Sequence, residues 1–164
     1  MKITVLGSGG WGTALALLLT DNGHDVTLWS HSARRSALLE QARENPRLPG
    51  VPLREDAVVV SAAKGVERDT ALCMTQVIEE ELGGKGRVAA LSGPSHAEEV
   101  GRRAPTGCVA ASRDMAAAEL VQDVFMSPRF RVYTNSDVLG VELGAALKNV
   151  LALCCGVSDG MGLG

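Results

Sequence analysis

A glycine-rich turn between a strand-like run and a helical pattern constrains this chain more than any other feature. The sequence GSGGWG (residues 7–12) follows the β-branched run KITVL (residues 2–6) and opens a stretch with apolar residues at helical spacing. Gly7 permits a tight turn, Gly9 lets the backbone approach a pyrophosphate, and Gly12 lets the helix pack closely on the strand. A phosphate then lies on the helix N-terminus, which favours anions. The motif therefore predicts dinucleotide binding, with a purely structural turn as the alternative.

The end of the second predicted strand, residues 24–29, indicates which dinucleotide binds. Sites that prefer NAD usually end this strand with an acid that binds the ribose 2′-hydroxyl. Here the strand is followed by Ser30, His31, Arg34 and Arg35. Guanidinium groups can grip a 2′-phosphate through two parallel hydrogen bonds. NADP(H) is therefore favoured, or at least tolerated beside NAD(H). The alternative is that both arginines belong to the solvated first turn of the next helix.

Composition excludes several classes of function. With a net charge of −3 and 3% aromatic residues, the chain has neither the charge nor the stacking platforms of a nucleic-acid-binding protein. The sequence shows no signal peptide and no uninterrupted apolar run long enough to span a bilayer, and we predict no metal site. The four cysteines are predicted to be small core residues in a reducing cytoplasm. They are Cys73, Cys108, Cys154 and Cys155.

Strand-like and helix-like segments alternate regularly from residue 1 to about 135, and one of the predicted helices covers residues 69–82. This alternation predicts an α/β fold with a Rossmann-like, doubly wound parallel sheet. From residue 137 a long apolar helix begins and runs past residue 151. A helix this apolar needs a partner surface. Either the chain forms a homodimer through this helix or it is a truncated protein.

Two loops that follow predicted strands carry candidate binding groups. Ligands of doubly wound sheets lie at the carboxyl ends of the strands. Lys64 follows the strand 57–61, where an ammonium can neutralise phosphate or polarise a carbonyl. Gly93 and Ser95 follow the strand 87–91 and begin a predicted helix over 95–103. Ser95 and Glu98 would form its capping box, and His96 beside them suits a structural role better than catalysis.

Lys148 is the most informative single residue on the long helix. Its neighbours three and four positions away are Gly144, Ala145, Leu151 and Ala152, none of them an acid. If the lysine is buried, desolvation lowers its pKa and makes it a usable general base. The alternative is a lysine whose stem reaches water. The residues alone leave these alternatives open.

Several of these clusters together resemble the bacterial type of NAD(P)-dependent glycerol-3-phosphate dehydrogenases. The resemblance covers nearly the whole chain in the family's order. Two of the motifs, SGPSHAEE and ELGAALKN, are much more specific than the glycine turn. The matching stretches are KITVLGSGGWGTALALLL, NGHDVTLWS, NPRLPGVPL, AAKG, LSGPSHAEEV, SPRFRVYTNSDVLGVELGAALKNVLAL and GVSDGMGLG.

The resemblance implies reversible reduction of dihydroxyacetone phosphate to sn-glycerol 3-phosphate, which supplies glycerophospholipid synthesis. It implies that Lys148 accepts the proton when glycerol 3-phosphate is oxidised. It also implies further contacts, with Lys64 shared between the cofactor and the substrate. The cofactor residues are Gly10, Trp11, His31, Lys64 and Ala97, and the substrate residues are Lys64, Gly93 and Ser95.

The chain departs from the family pattern at two places. Residues 52–56 run directly into the strand 57–61, where the family has a further strand and helix, a unit of about 30 residues. A sheet without that strand would close with a shifted neighbour or keep a gap beside the nicotinamide. The chain also ends before most of the family's helical substrate domain, of which residues 136–164 would be the start.

Two other functions compete with this dehydrogenase. A β-hydroxyacid dehydrogenase also pairs a Rossmann domain with a helical lysine, although the SGPS and AAKG motifs favour the first hypothesis. The third hypothesis is a nucleotide-binding remnant without activity, which the two departures favour. The response of the chain to NADPH and then to dihydroxyacetone phosphate distinguishes all three.

Overall fold

The computed structural model describes residues 1–29, 57–83 and 86–163. Strands and helices alternate along these residues, as the sequence predicts. The elements in chain order are β1 (Lys2–Leu6), α1 (Gly10–Asp21), β2 (Asp25–Trp29), β3 (Val58–Ser61), α2 (Met74–Leu82), β4 (Arg87–Ser92), α3 (Ala97–Gly101), β5 (Thr106–Ala111), α4 (Met115–Phe125), β6 (Phe130–Asn135) and α5 (Val138–Gly160).

The chain divides into two compact units that interleave along the sequence. The first comprises Met1–Arg54, Pro94–Cys108 and Gln122–Val132. The second comprises Glu55–Gly93, Val109–Val121 and Tyr133–Gly164. The chain therefore passes from one unit to the other within β5, α4 and β6.

The first unit is built around the glycine turn. Strands β1 and β2 run parallel, paired from Lys2 with Asp25 to Leu6 with Trp29. Helix α1 packs on both strands and against α3, because its apolar stripe of Ala14, Leu15 and Leu19 faces inward. Burying such a stripe supplies most of the stability of a short helix. The other buried apolar residues of this unit are Val100, Cys108, Phe125, Phe130 and Val132.

In the second unit, helices α2 and α5 both pack on β4. Strands β3 and β4 pair in parallel, with Val58 opposite Arg87 and Ser61 opposite Ala90. Strand β4 is rich in alanine, whose small side chain leaves room for both helices. The buried apolar residues of the second unit are Cys73, Ala89, Ala90, Leu91, Ala110, Ala111, Ala117, Ala118 and Val121.

The predicted α/β class is confirmed by these parallel pairs, but the direction of one strand contradicts the prediction of a parallel sheet. Strand β5 pairs antiparallel with β4, with Leu91 opposite Ala110. Between them, α3 has only five residues, about 7.5 Å of helix against about 20 Å of strand. The helix is therefore too short to carry the chain back along β4, so β5 enters the sheet from the end at which β4 leaves it.

The described strands form two sheets, although the sequence predicts a single sheet. One sheet has the order β1-β2 and the other β3-β4-β5-β6. The break in strand order falls between β2 and β3. This is the stretch of chain in which the family is expected to have its further strand and helix.

Two helices begin later than predicted, for local reasons. Helix α2 starts at Met74 instead of residue 69, because Ala71 adopts a left-handed conformation (φ 58°) and Cys73 forms the capping box with Gln76. Helix α3 starts at Ala97 instead of residue 95. Its N-cap is His96, which makes no side-chain capping bond, so the predicted capping box of Ser95 and Glu98 is wrong.

Helix α5 is the longest element and the least buried one. Asp137 caps its start by accepting a hydrogen bond from the Gly140 N–H at 2.9 Å. Large apolar side chains beyond this start are exposed, among them Leu147 at 50% and Leu153 at 69%. By length and composition alone, α5 could span a membrane, with a mean hydropathy of 1.7 over its most apolar window. The sequence predicted no such segment.

Candidate active site

The glycine turn is closed by contacts within the first 29 residues of the chain. Gly7 has a φ of +114°, a conformation that favours glycine, and its N–H donates to the carbonyl oxygen of Trp29 at 2.8 Å. A Cβ added at Gly12 would lie 1.9 Å from the carbonyl oxygen of Gly7. Gly7 and Gly12 therefore allow the strand and the helix to approach, as the motif predicts.

The start of α1 leaves room and polarity for an anion. Gly9 is the N-cap, no side chain caps the helix, and its first turn contains no acid. A Cβ at Gly9 would meet nothing within 4 Å. A Cβ at Gly10 would lie 3.7 Å from the Cβ of Ala97, so two predicted cofactor residues from α1 and α3 are neighbours. Trp11 follows them in the first turn of α1.

The residues predicted to select NADP(H) follow the end of β2 at Trp29. His31 and Arg34 lie outside the described residues, as do Ser30 and Arg35. The cofactor preference inferred from them therefore stays a prediction.

Lys64 and Gly93 meet in the second unit. Lys64 follows β3 and Gly93 follows β4. Because these strands are parallel, their carboxyl ends lie at the same edge of the sheet. The half-buried Lys64 donates from Nζ to the carbonyl oxygen of Gly93 at 3.2 Å. Two predicted substrate-binding residues are thereby brought together, and the Lys64 ammonium lies at the edge of the sheet where ligands bind.

The serines near this edge differ in environment. Ser92, the last residue of β4, is 4% exposed, and its hydroxyl makes no hydrogen bond with any described residue. A buried polar group of this kind is rare in a folded protein. Ser95 lies in the first unit and is half-buried. His96 beside it is exposed.

Lys148 is exposed on α5, as are Gly144, Leu151 and Ala152 around it. In the described structure Lys148 is therefore in contact with water and is not buried. The burial on which the general-base prediction depends is therefore absent from the described structure.

Glu142 is the one buried residue that the structure shows on α5, and it was not among the residues predicted for the site. Its carboxylate accepts from the backbone N–H of Thr75 at 3.0 Å and from the Thr75 hydroxyl at 2.5 Å. Burial, and secondarily the negative charge of Glu142, raises the pKa of the neighbouring Cys73 thiol. The available signal was an acid within the apolar stretch of the helix, which has no other acid before Asp159.

A cavity in the first unit lies away from the glycine turn. It has a volume of about 400 Å³ and is lined by the C-terminal ends of α1 and α3, including Asn22 and Arg102. Phosphate recognition is expected at the other end of α1, where the N–H groups are free. This cavity is therefore separate from the predicted cofactor site.

Comparison with known proteins agrees with this arrangement. The N-terminal family model of NAD-dependent glycerol-3-phosphate dehydrogenase matches residues 2–56 and 51–118. The C-terminal model of the same family matches residues 137–164. The chain belongs to the NAD-dependent glycerol-3-phosphate dehydrogenase family.

The sequence identity between the chain and its relatives in this family is well above the level expected by chance. The chain is 41% identical to glycerol-3-phosphate dehydrogenase (NAD(P)+) of Fusobacterium nucleatum over 206 aligned positions, which cover 100% of the chain and 62% of that protein. It is 44% identical to the same enzyme of Moorella thermoacetica over 204 positions, covering 99% and 60%. The crystal structure of glycerol-3-phosphate dehydrogenase from Coxiella burnetii superposes with a TM-score of 0.77 at 30% identity, covering 99% and 62%.

These matches also define how much of the enzyme this chain contains. The chain spans about three fifths of the length of the relatives. The alignments need 206 positions for a chain of 164 residues, and the N-terminal family model matches in two pieces. The roles of the site residues named above stay predictions.

Proposed function

We propose that this chain carries the cofactor-binding and proton-transfer parts of an NAD(P)H-dependent reductase that converts dihydroxyacetone phosphate into sn-glycerol 3-phosphate. The reaction is reversible. We place it in the cytoplasm, where its product would supply glycerophospholipid synthesis. A homodimer formed through α5 stays a prediction.

The glycine turn is the observation that carries this proposal. The space at Gly9 is open and would be taken by the Cβ of any other residue. The start of α1 has no side-chain cap and no acid. A pyrophosphate fits such a place because its charge satisfies the free N–H groups of the helix. Gly7 to Gly12, together with Ala97, would hold the cofactor. When bound, the nicotinamide supplies the hydride.

Two lysines of the second unit would handle the substrate. Lys64, fixed by its bond to the Gly93 carbonyl, would neutralise the phosphate or polarise the carbonyl that receives the hydride. Lys148 would donate a proton to the resulting alkoxide oxygen, and in the reverse direction it would remove the proton from the hydroxyl. Gly93 and Ser95 would bind the substrate. A positioned general acid or base contributes about 10²–10⁴-fold to the rate.

A second candidate is a nucleotide-binding protein without turnover. The exposure of Lys148 favours it, since a general base of this kind usually depends on burial to reach a useful pKa. Both candidates predict NADPH binding at the glycine turn, but only the first predicts oxidation of the bound NADPH by dihydroxyacetone phosphate.

The decisive experiment uses the complete chain with NADPH and follows the fluorescence of Trp11 in a Trp29→Phe background. We expect quenching on binding, and then loss of NADPH absorbance after dihydroxyacetone phosphate is added. Binding without turnover would support the second candidate. The absence of quenching would contradict both.

Substrate controls distinguish the related enzyme class. Dihydroxyacetone without its phosphate tests whether the charge is recognised, and a β-hydroxyacid tests the alternative dehydrogenase. NADP+ reduction with the β-hydroxyacid and not with glycerol 3-phosphate would overturn the proposed substrate.

A further inference from the structure

Glu142 makes a contact that the proposed reaction does not use. It is 5% exposed on a helix whose surroundings from Leu147 onward are open to solvent. Its carboxylate accepts two hydrogen bonds from Thr75, itself 3% exposed, one from the backbone N–H and one from the hydroxyl. These two residues are 67 positions apart and belong to the same unit.

The location of Thr75 explains why an acid is tolerated there. Thr75 is the second residue of α2, where backbone N–H groups have no partner within the helix. A carboxylate near a helix N-terminus is stabilised by the aligned peptide dipoles. Since the capping box of Cys73 and Gln76 satisfies other groups of this turn, Glu142 completes the start of α2 from another element.

The contact also restricts α5. Asp137 caps the first turn of α5 through Gly140, which belongs to the same helix, so this bond does not tie α5 to another element. Helix α5 also packs on β4, and apolar packing is non-directional. The two bonds to Thr75 are directional, because hydrogen bonds weaken steeply away from a linear geometry. They therefore tie the turn of α5 that contains Glu142 to the start of α2, six residues before Lys148.

We propose that Glu142 is a positioning residue, which fixes the course of α5 through Thr75 and thereby holds Lys148 in place for proton transfer. This inference rests on the proposed function for the role of Lys148. The course of α5 itself can be measured without turnover. A purely structural role would give stability alone and leave the position of Lys148 unchanged.

The first test measures the geometry directly. Spin labels at Glu81→Cys on α2 and Ala152→Cys on α5 report the course of α5, in a background with Cys154→Ser and Cys155→Ser. The remaining cysteines, Cys73 and Cys108, are buried. We expect Glu142→Ala to shift or broaden the distance distribution. Glu79→Ala, which removes an acid from an exposed ion pair with Arg113, is the matched control and should leave it unchanged.

The second test separates positioning from folding. Thr75→Val removes the hydroxyl bond, whereas Thr75→Ser retains both bonds. We expect Glu142→Ala to lower kcat about ten- to a hundredfold, the scale of a small misplacement, with NADPH affinity unchanged. Thr75→Val should lower kcat less, and Thr75→Ser should restore it.

The outcomes are separable from those of the proposed function. An unsubstituted chain that binds NADPH without turnover contradicts the proposed reaction, and the distance distribution then decides the inference by itself. An unchanged distance distribution in Glu142→Ala overturns the inference. So does a kcat that stays at the unsubstituted value in a chain with turnover.

Discussion

The glycine turn of the first unit and the lysine sites of the second differ in how their geometry is fixed. The approach of Gly12 to Gly7 spans five positions, and the bond from the Gly7 N–H to the Trp29 carbonyl spans 22. In the second unit, the bond from Lys64 to Gly93 spans 29 positions, and the anchor of α5 spans 67. The proposed nucleotide site is thus the more local structure, whereas the proposed catalytic site depends more on how distant elements pack.

This difference indicates which part depends less on distant segments of the chain. The glycine turn and the strands on either side of α1 satisfy the Gly7 N–H within the first 29 residues. Lys148, the proposed general base, lies on an exposed helix, and its burial would need a covering surface. We therefore expect the proposed cofactor site to depend less on other segments than the proposed proton-transfer site.

The largest effect is expected at Lys148. Lys148→Met in a full-length relative that carries the same helix removes the proposed proton donor, so turnover should fall by about 10²–10⁴-fold or more. NADPH affinity, measured by fluorescence, should be nearly unchanged because the proposed cofactor site lies in the first unit. Turnover within a few-fold of the unsubstituted enzyme would show that another group moves the proton.

The next largest effect is expected at the arginines predicted to bind the 2′-phosphate of NADPH. Arg34→Ala should weaken NADPH binding by about 1.5–3 kcal/mol, the scale of hydrogen bonds to charged groups, and NADH binding much less. Calorimetric titration with both cofactors measures this, and Arg35→Ala is the parallel variant. Equal losses for NADPH and NADH would contradict a 2′-phosphate site.

A pair of glycine variants tests whether the turn is locally determined. Gly12→Ala places a Cβ against the Gly7 carbonyl, so we expect a loss of about 1–3 kcal/mol in unfolding free energy. Gly9→Ala meets nothing in the protein and should change stability by less than about 0.5 kcal/mol, yet weaken NADPH binding. Denaturant unfolding and titration measure both. Similar stability losses in the two variants would refute this account.

The smallest effect concerns the environment of Cys73 beside Glu142. Its pKa is raised by burial and then by Glu142, so the folded protein holds the thiol proton more tightly than the unfolded chain. The resulting stability is fully present below the unfolded thiol pKa, about 8.5. It is lost as pH rises through the folded pKa, by at most about 1.4 kcal/mol per pH unit.

The control for this pH dependence is another cysteine. Cys73→Ala should flatten the decline of unfolding free energy above about pH 8.5, whereas Cys154→Ala, at an exposed thiol, should not. Urea unfolding across this range gives the comparison. Identical slopes for Cys73→Ala and the unsubstituted chain would show that the thiol does not titrate differently in the folded state.

The sequence predicted the glycine turn, the alternation of strands and helices, and the family. It also predicted that Lys64 lies at the carboxyl edge of the sheet. These features depend on short periodicities and local turn chemistry, which a sequence displays directly. The start of α2 at Met74 was missed, because the left-handed Ala71 and the cysteine capping box leave only a weak pattern.

Other features were decided by tertiary structure alone. Nothing in the sequence of β5 gives its direction, which follows from how little helix separates it from β4. From its sequence Glu142 is indistinguishable from a surface acid, but in the structure the Thr75 N–H and hydroxyl at the start of α2 donate to its carboxylate. The exposure of Lys148 likewise depends on which surfaces surround α5. Strand direction, burial and paired charges belong to relations between distant segments, and local patterns of residues do not contain them.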